Sequence, residues 1–173
     1  MWTSDNRLVD LSAGRGSSVA AAINDKGSVV VHHQDDAWQQ SYLWTLRGGK
    51  TDIGDLGGQH TVTSSINKND ELTGYSLTSS GEQRAVYWSA KTGLVNIGGP
   101  DSTGRAINDK GQVVGTERLA EQGEVGFVWS AIKGAAFLPA ANNDPYMYVA
   151  DINNHGDIVG AQGGTAYLWT TRA

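Results

Sequence analysis

Short runs of apolar residues, each preceded or followed by asparagine, aspartate or glycine, follow one another along the whole chain. The run Val29–Val31 follows the segment Asn24–Gly27, and Val113–Gly115 follows Asn108–Gly111 in the same way. Asparagine can bond its own backbone two residues on, and glycine can take a positive φ, so these segments predict tight turns between antiparallel strands. The pattern therefore predicts an all-β chain of many short strands.

The same landmarks return four times along the chain. They are an Ile-Asn dipeptide at Ile23, Ile66, Ile107 and Ile152, and a later tryptophan at Trp44, Trp88, Trp129 and Trp169. The dipeptides are separated by 43, 41 and 45 residues. A period of about 42 residues is typical of a propeller blade. Each repeat is predicted to contain four strands, A to D, in which the first ends at Ile-Asn and the third carries the tryptophan.

We predict a four-bladed β-propeller of four repeats of about 42 residues, which forms a single domain over residues 1–173. Residues 7–11 resemble a D strand without its own blade, and the last C strand, 167–170, has no D strand after it. We expect the N-terminal strand to complete the last blade and close the ring, which leaves no open edge. Because Trp2 duplicates Trp169, a piece of a longer array or half of a two-chain ring stays an alternative.

The repeats resemble those of the HAF repeat family of extracellular repeat proteins. The resemblance is carried by Ala22–Asn24, Ala106–Gly115 and Thr51–Gly58, which are similar to the family pattern A-x-x-IN-x-x-G-x-VVG, AFLW and DLG. It covers essentially the whole chain and implies a propeller-like architecture and export. The family has no shared catalytic residues to transfer to this sequence.

Composition narrows the classes of function. The net charge is -5 and the sequence pI is near 5.2, and no block of Lys and Arg is present, which argues against nucleic-acid binding. The chain has no cysteine and therefore no thiolate metal site or disulfide. We expect no membrane insertion and no cofactor. The sequence contains neither a secretory signal nor a phosphate loop, so the compartment stays open and an enzyme is not expected.

The loop lengths vary on one face of the predicted disc, where the B–C and D–A loops lie. Loops on a rigid scaffold commonly carry binding sites. We therefore expect a non-enzymatic module that binds a small polar ligand, such as a carbohydrate, on this face. The candidate ligand-binding residues are Asp35, Asp36, Trp38, His60, Asp101 and Tyr146.

Several of these interpretations have alternatives. Trp38 is the tryptophan that breaks the repeat plan, and it either stacks on a ligand or folds over a blade edge. Tyr148 is expected to pack between blades, with a place at the mouth of the central channel as the alternative. Arg105 is expected to pair with Asp151, with contact to a ligand as the alternative. A protein-interaction or assembly module, as a monomer or a small homo-oligomer, is the competing class, and a hydrolase or lyase ranks last. The four histidines predict no metal site, because their positions on strands and loops separate them.

Overall fold

The chain folds into short strands joined by tight turns. The structure is a computed structural model, and it describes residues 8–12, 16–34 and 39–170. The strands are β1 (Ser17–Ile23), β2 (Val29–Gln34), β3 (Gln39–Thr45), β4 (Gly49–Asp52), β5 (Gly57–Ile66), β6 (Leu72–Thr78), β7 (Gln83–Ser89), β8 (Gly93–Asn96), β9 (Ser102–Ile107), β10 (Val113–Leu119), β11 (Gly123–Ser130), β12 (Gly134–Phe137), β13 (Met147–Ile152), β14 (Ile158–Gln162) and β15 (Thr165–Trp169). In this part of the chain, no helix is long and apolar enough to cross a membrane.

The strands form four separate antiparallel sheets, one for each sequence repeat. Blade 1 contains β1 to β4, blade 2 contains β5 to β8, and blade 3 contains β9 to β12, each in sequence order. Blade 4 is a three-stranded sheet of β13, β14 and β15. The inner strands contact their neighbours in the order β1, β5, β9 and β13. The predicted all-β, propeller-like fold is thereby confirmed.

The four asparagines of the Ile-Asn dipeptides shape the first turn of each blade. The side-chain oxygen of each accepts hydrogen bonds from the backbone N–H groups two and four residues on, at 2.9–3.1 Å. This confirms their predicted role as turn formers. Blade 2 has Asp70 where the other turns have glycine, and Asp70 takes the same left-handed backbone with φ of 66°. The turn is therefore kept, because aspartate tolerates this conformation better than most side chains do.

The core lies between the blades rather than within them. Ile53, at the end of blade 1, packs with Leu72 and Trp88 of blade 2. Ile97 packs with Val113 and Phe127 in the same way one blade further on. The corresponding contacts of blade 3 place Leu138 and Trp169 against the cluster of blade 4. Trp88, Trp129 and Trp169 are therefore wedges between neighbouring blades, as the sequence predicts. Trp44 packs against the Val29, Val31 and Tyr42 cluster of its own blade.

The N-terminal segment lies on blade 1. Leu11 packs against Val29, Val31 and Tyr42, as Ile53 packs on blade 2. The Tyr42 hydroxyl also donates a hydrogen bond to the carbonyl of Leu11. Residues 8–12 thus occupy the place of a D strand relative to the blade that follows them.

The predicted closure of the ring is not among the contacts of the described residues. In that part of the chain β15 has no fourth strand beside it. The first residue of the predicted closing strand, Arg7, lies outside the described residues, as does Trp2. Completion of the last blade by the N-terminal strand therefore stays a prediction.

Candidate functional site

The antiparallel order of the strands sorts the connections onto two faces. The A–B and C–D turns lie on one, the turn face, which carries the four asparagines. The B–C and D–A connections lie on the other, the loop face. The candidates among the described residues, His60, Asp101 and Tyr146, belong to segments of the loop face.

Three candidate residues occupy one repeat position. Near its start, the inner strand of each blade pairs with the second strand at one equivalent position. The pairs are Thr61 with Ser76 in blade 2, Ser102 with Glu117 in blade 3, and Met147 with Gln162 in blade 4. The residues immediately before these partners are His60, Asp101 and Tyr146. The structure therefore places them at the same point of three successive blades, where the chain enters the innermost strand. Ser17 holds this position in blade 1.

These three residues differ in what surrounds them. Tyr146 is 60% exposed, and Asp101 is also exposed. Asp101 has a φ of 52°, and its carbonyl accepts a hydrogen bond from the N–H of Arg118 at 3.3 Å. His60 is half-buried, and its Nε2 lies 3.2 Å from the hydroxyl of Tyr75. The row thus offers an aromatic ring, a carboxylate and an imidazole.

The loop that carries Tyr146 is held in place by one buried side chain. The Oε1 of Gln162 accepts a hydrogen bond from the N–H of Ala141 at 2.8 Å. Its Nε2 donates to the carbonyls of Asn142 at 3.1 Å and Asp144 at 2.7 Å. The N–H of Tyr146 in turn donates to Oδ1 of Asp144 at 2.9 Å. The exposed ring therefore stands on a fixed loop.

Other blades use the position of Gln162 for the same purpose. Oε2 of Glu117 accepts a hydrogen bond from the N–H of Gly99 at 3.0 Å, and Oγ of Ser76 donates to the carbonyl of His60 at 3.1 Å. The sequence analysis missed these loop anchors. The available signal was a polar side chain near the end of an otherwise apolar B strand.

Asp35, Asp36 and Trp38 lie outside the described residues. The strands on either side of them end and begin at Gln34 and Gln39, which are paired. These three candidates therefore belong to the B–C connection of blade 1, and their role stays a prediction.

Two further expectations, on Arg105 and on Tyr148, are wrong. The ion pair of Arg105 with Asp151 is not formed, since the Arg105 guanidinium lies over the ring of Tyr148, 5.5 Å from its centroid. Oδ1 of Asp151 accepts a hydrogen bond from the N–H of Ile152. Tyr148 does not pack between blades but is about half exposed. Among the described residues, Tyr148 meets the Arg105 side chain but no further sheet that would bury its ring.

Two cavities lie on the turn face. One, of about 580 Å³, runs between blades 3 and 4 and is lined by Trp129, Leu138 and Trp169. The other, of about 420 Å³, is a central depression lined by the four Ile-Asn motifs. Neither includes His60, Asp101 or Tyr146. Those three residues therefore line neither of these cavities. Among the described residues, no cluster of His, Asp and Glu is placed to hold a metal ion.

Comparison with known proteins supports the fold and goes no further. No family model and no curated protein matches the chain. The crystal structure of TolB from Acinetobacter baumannii is similar, with a TM-score of 0.61 and 12% identity, over 91% of this chain and 41% of that one. The crystal structure of a triple arginine-to-alanine mutant of AofleA from Arthrobotrys oligospora has a TM-score of 0.45 and 13% sequence identity. That match covers 90% of this chain and 56% of the AofleA chain. The chain spans about two fifths of the length of the TolB chain.

Proposed function

We propose that this chain is a non-enzymatic binding module that holds a small polar ligand of the carbohydrate type on its loop face. The observation that carries the proposal is the exposed ring of Tyr146 on an anchored loop, at the repeat position that His60 and Asp101 hold in the preceding blades. An aromatic ring left in water by a rigid scaffold is available for contact.

The chemistry of the row suits a sugar. The flat face of an aromatic ring packs against the C–H groups of a pyranose, and tyrosine adds a hydroxyl that both donates and accepts. The exposed carboxylate of Asp101 accepts hydrogen bonds from ligand hydroxyls. Because Tyr146 and Asp101 are exposed and line neither turn-face cavity, we expect them to contact an extended oligosaccharide better than a single buried sugar.

Calorimetric titration with a panel of oligosaccharides tests the proposal, after a thermal-shift screen selects the ligands. A ligand that binds only the folded state raises the melting temperature. We expect Tyr146→Ala and Asp101→Ala to abolish the signal. Ile132→Ala is the matched control, because Ile132 is a highly exposed side chain in a turn of the opposite face. Binding that survives in Tyr146→Ala would show that the site lies elsewhere.

The first blade offers a separate test of the same face. Trp38→Ala removes the off-pattern tryptophan without touching the anchored loop of blade 4. If the ligand spans blades 1 and 4, this variant lowers affinity as Tyr146→Ala does. If Trp38 only covers a blade edge, the variant lowers stability and leaves affinity unchanged.

A further inference from the structure

Blade 4 presents an apolar face that no other sheet of the described residues covers. Val159 and Leu168 are paired across β14 and β15 in the register that pairs Val30 with Leu43 in blade 1. Val30 and Leu43 are 0% and 5% exposed, because blade 2 covers them. Val159 and Leu168 are 44% and 60% exposed. The free face therefore has the composition of an internal interface.

Blade 1, at the other end of the row of four blades, also exposes an apolar position that is buried in other blades. Ile107 and Ile152, which precede the asparagines of blades 3 and 4, are 7% and 6% exposed because the preceding blade covers them. Ile23 holds the same position in blade 1 and is 60% exposed. Among the described residues, no sheet precedes blade 1 to bury this position as blades 2 and 3 bury it in blades 3 and 4.

A chain of hydrogen bonds runs from blade to blade and stops at blade 4. Each asparagine uses its side-chain N–H to reach the carbonyl of the next one: Asn24 to Asn67, Asn67 to Asn108 and Asn108 to Asn153, all at 2.9 Å. Among the described residues, Asn153 donates only within its own blade, to Asp157. The acceptor that would continue the series is the carbonyl of Asn24.

The neighbouring turn position repeats this arrangement. The N–H of Lys68 donates to Oδ1 of Asp109 at 3.1 Å, and the N–H of Asp109 donates to Oδ1 of Asn154 at 2.8 Å. The next residue in the series is Asp25 of blade 1. Within the described part of the chain, no hydrogen bond reaches its carboxylate. A donor at one end of the array is therefore matched by an acceptor at the other.

We infer that a second copy of this chain docks its blade 1 against the free face of blade 4, so that copies associate head to tail. Both halves of the interface are present in one chain, and its three internal interfaces show how they fit. Among the described strands, blades 1 and 4 share no contact like those between successive blades, and a second copy offers each half the partner that it fits. Such a heterologous contact produces a ring or a filament.

The N-terminal segment of the second copy completes the interface. It already lies on blade 1 where the D strand of a preceding blade lies, through Leu11 and Tyr42. When that blade 1 meets blade 4, the segment is brought beside the edge of β15 that no described strand pairs with. Addition of a strand to a free sheet edge supplies main-chain hydrogen bonds across the contact.

One residue weakens the free face relative to the internal ones. Asp151 is exposed and pairs with Val159 where blades 1 and 3 have Ala22 and Ala106. Burial of a carboxylate without a partner is costly, so it opposes association. We therefore expect Asp151→Ala to tighten the association of copies.

Cysteine cross-linking tests the contact directly, since the chain has no cysteine of its own. The single variants Asp25→Cys and Asn154→Cys are purified separately, with different tags, mixed and oxidised. The positive control is Asp109→Cys with Asn154→Cys in one chain, because these residues exchange hydrogen bonds at 2.8 Å across blades 3 and 4. We expect the mixture to form a disulfide-linked pair that contains one copy of each variant.

Two results overturn the inference. One is a mixture that stays uncross-linked while the internal control forms its disulfide. The other is a double variant, Asp25→Cys with Asn154→Cys, that cross-links within a single monomeric chain, since the ring then closes on itself.

Sedimentation gives a second, independent reading. We expect the wild-type chain to shift from its 18.3 kDa monomer to larger species as concentration rises. Leu168→Asp places a charge in the contact and should abolish this shift. Ile132→Asp, at an exposed position outside the contact, should preserve it. A wild type that is monomeric at every concentration contradicts the inference.

Discussion

The contact between blades 1 and 2 and the free face of blade 4 are made from the same residue types at the same repeat positions. Leu43 lies 5% exposed in the first and Leu168 lies 60% exposed in the second. Their strands pair in the same register, and both side chains point away from the tryptophan wedge of their own blade. The difference in burial therefore comes from the neighbouring blade and not from the residue. In repeat proteins each unit is stabilised by its own fold and by its nearest neighbours, and a terminal unit lacks one of them.

The largest expected effect comes from truncating the two leucines. Leu43→Ala is expected to lower the free energy of unfolding by about 2–5 kcal/mol, because it leaves a cavity between blades. Leu168→Ala should change it by about 0.5 kcal/mol or less, as at other exposed sites. Urea denaturation at low protein concentration measures both.

Equal losses of unfolding free energy in Leu43→Ala and Leu168→Ala would contradict the difference between the two faces. If both lose several kcal/mol at every concentration, blade 4 is buried within one chain and the ring is closed. If Leu168→Ala becomes costly only as concentration rises, copies bury the face. The concentration series therefore separates the closed ring from the association of copies.

Asparagine variants should show the same contrast with a smaller effect. Asn108→Ala removes the turn and also the hydrogen bond to the carbonyl of Asn153 in the next blade. Asn153→Ala removes a similar turn but no bond to another blade among the described residues. Because a net hydrogen bond contributes about 1 kcal/mol, we expect Asn108→Ala to cost about that much more. Identical unfolding midpoints would show that the asparagine series adds nothing between blades.

The sequence predicts the fold because each repeat contains its own turn-forming asparagine and its own tryptophan. The asparagine turns and the tryptophans Trp88, Trp129 and Trp169 act as predicted, and the left-handed Asp70 keeps the one turn that lacks glycine. Closure could not be predicted in this way, since Leu43 and Leu168 are alike in sequence and differ only in their neighbours. The predicted burial of Tyr148 fails likewise, because burial at this position depends on a neighbouring sheet that the repeat pattern does not reveal. The candidate site was found through loop lengths, but its anchor at Gln162 depends on a contact with a loop about 20 residues away.

Alkaline pH tests a buried contact between blades 2 and 3 through Tyr87. In blade 2, Tyr87 holds the repeat position that Leu43 holds in blade 1 and Leu168 in blade 4. Burial raises the pKa of Tyr87 to about 12, and its hydrogen bond to Glu71 acts in the same direction. Between pH 10 and 12 the folded chain keeps a proton that the unfolded chain releases, so stability is full below pH 10 and falls as pH rises. We expect Tyr87→Phe to lose less stability than the wild type over this window. Parallel pH profiles of the urea midpoint would rule out this role for Tyr87.

The smallest effect is expected at Asp70, which links the turns of blades 1 and 2 at the surface. Burial alone raises the pKa of Asp70, but hydrogen bonds from Ser28, Asn24 and Lys26 outweigh it, so the pKa lies below its usual value of 3.8. Its contribution is therefore present above that value and is lost as pH falls through the folded pKa. Exposed pairs of this kind contribute about 0.2–1 kcal/mol, so Asp70→Asn should cost no more at neutral pH. It should also flatten the acid side of the stability profile, measured by the melting temperature from neutral pH downward. A variant that stays as acid-sensitive as the wild type would place the acid response in other carboxylates. The contact between blades 1 and 2 would then depend on its apolar residues and asparagines alone.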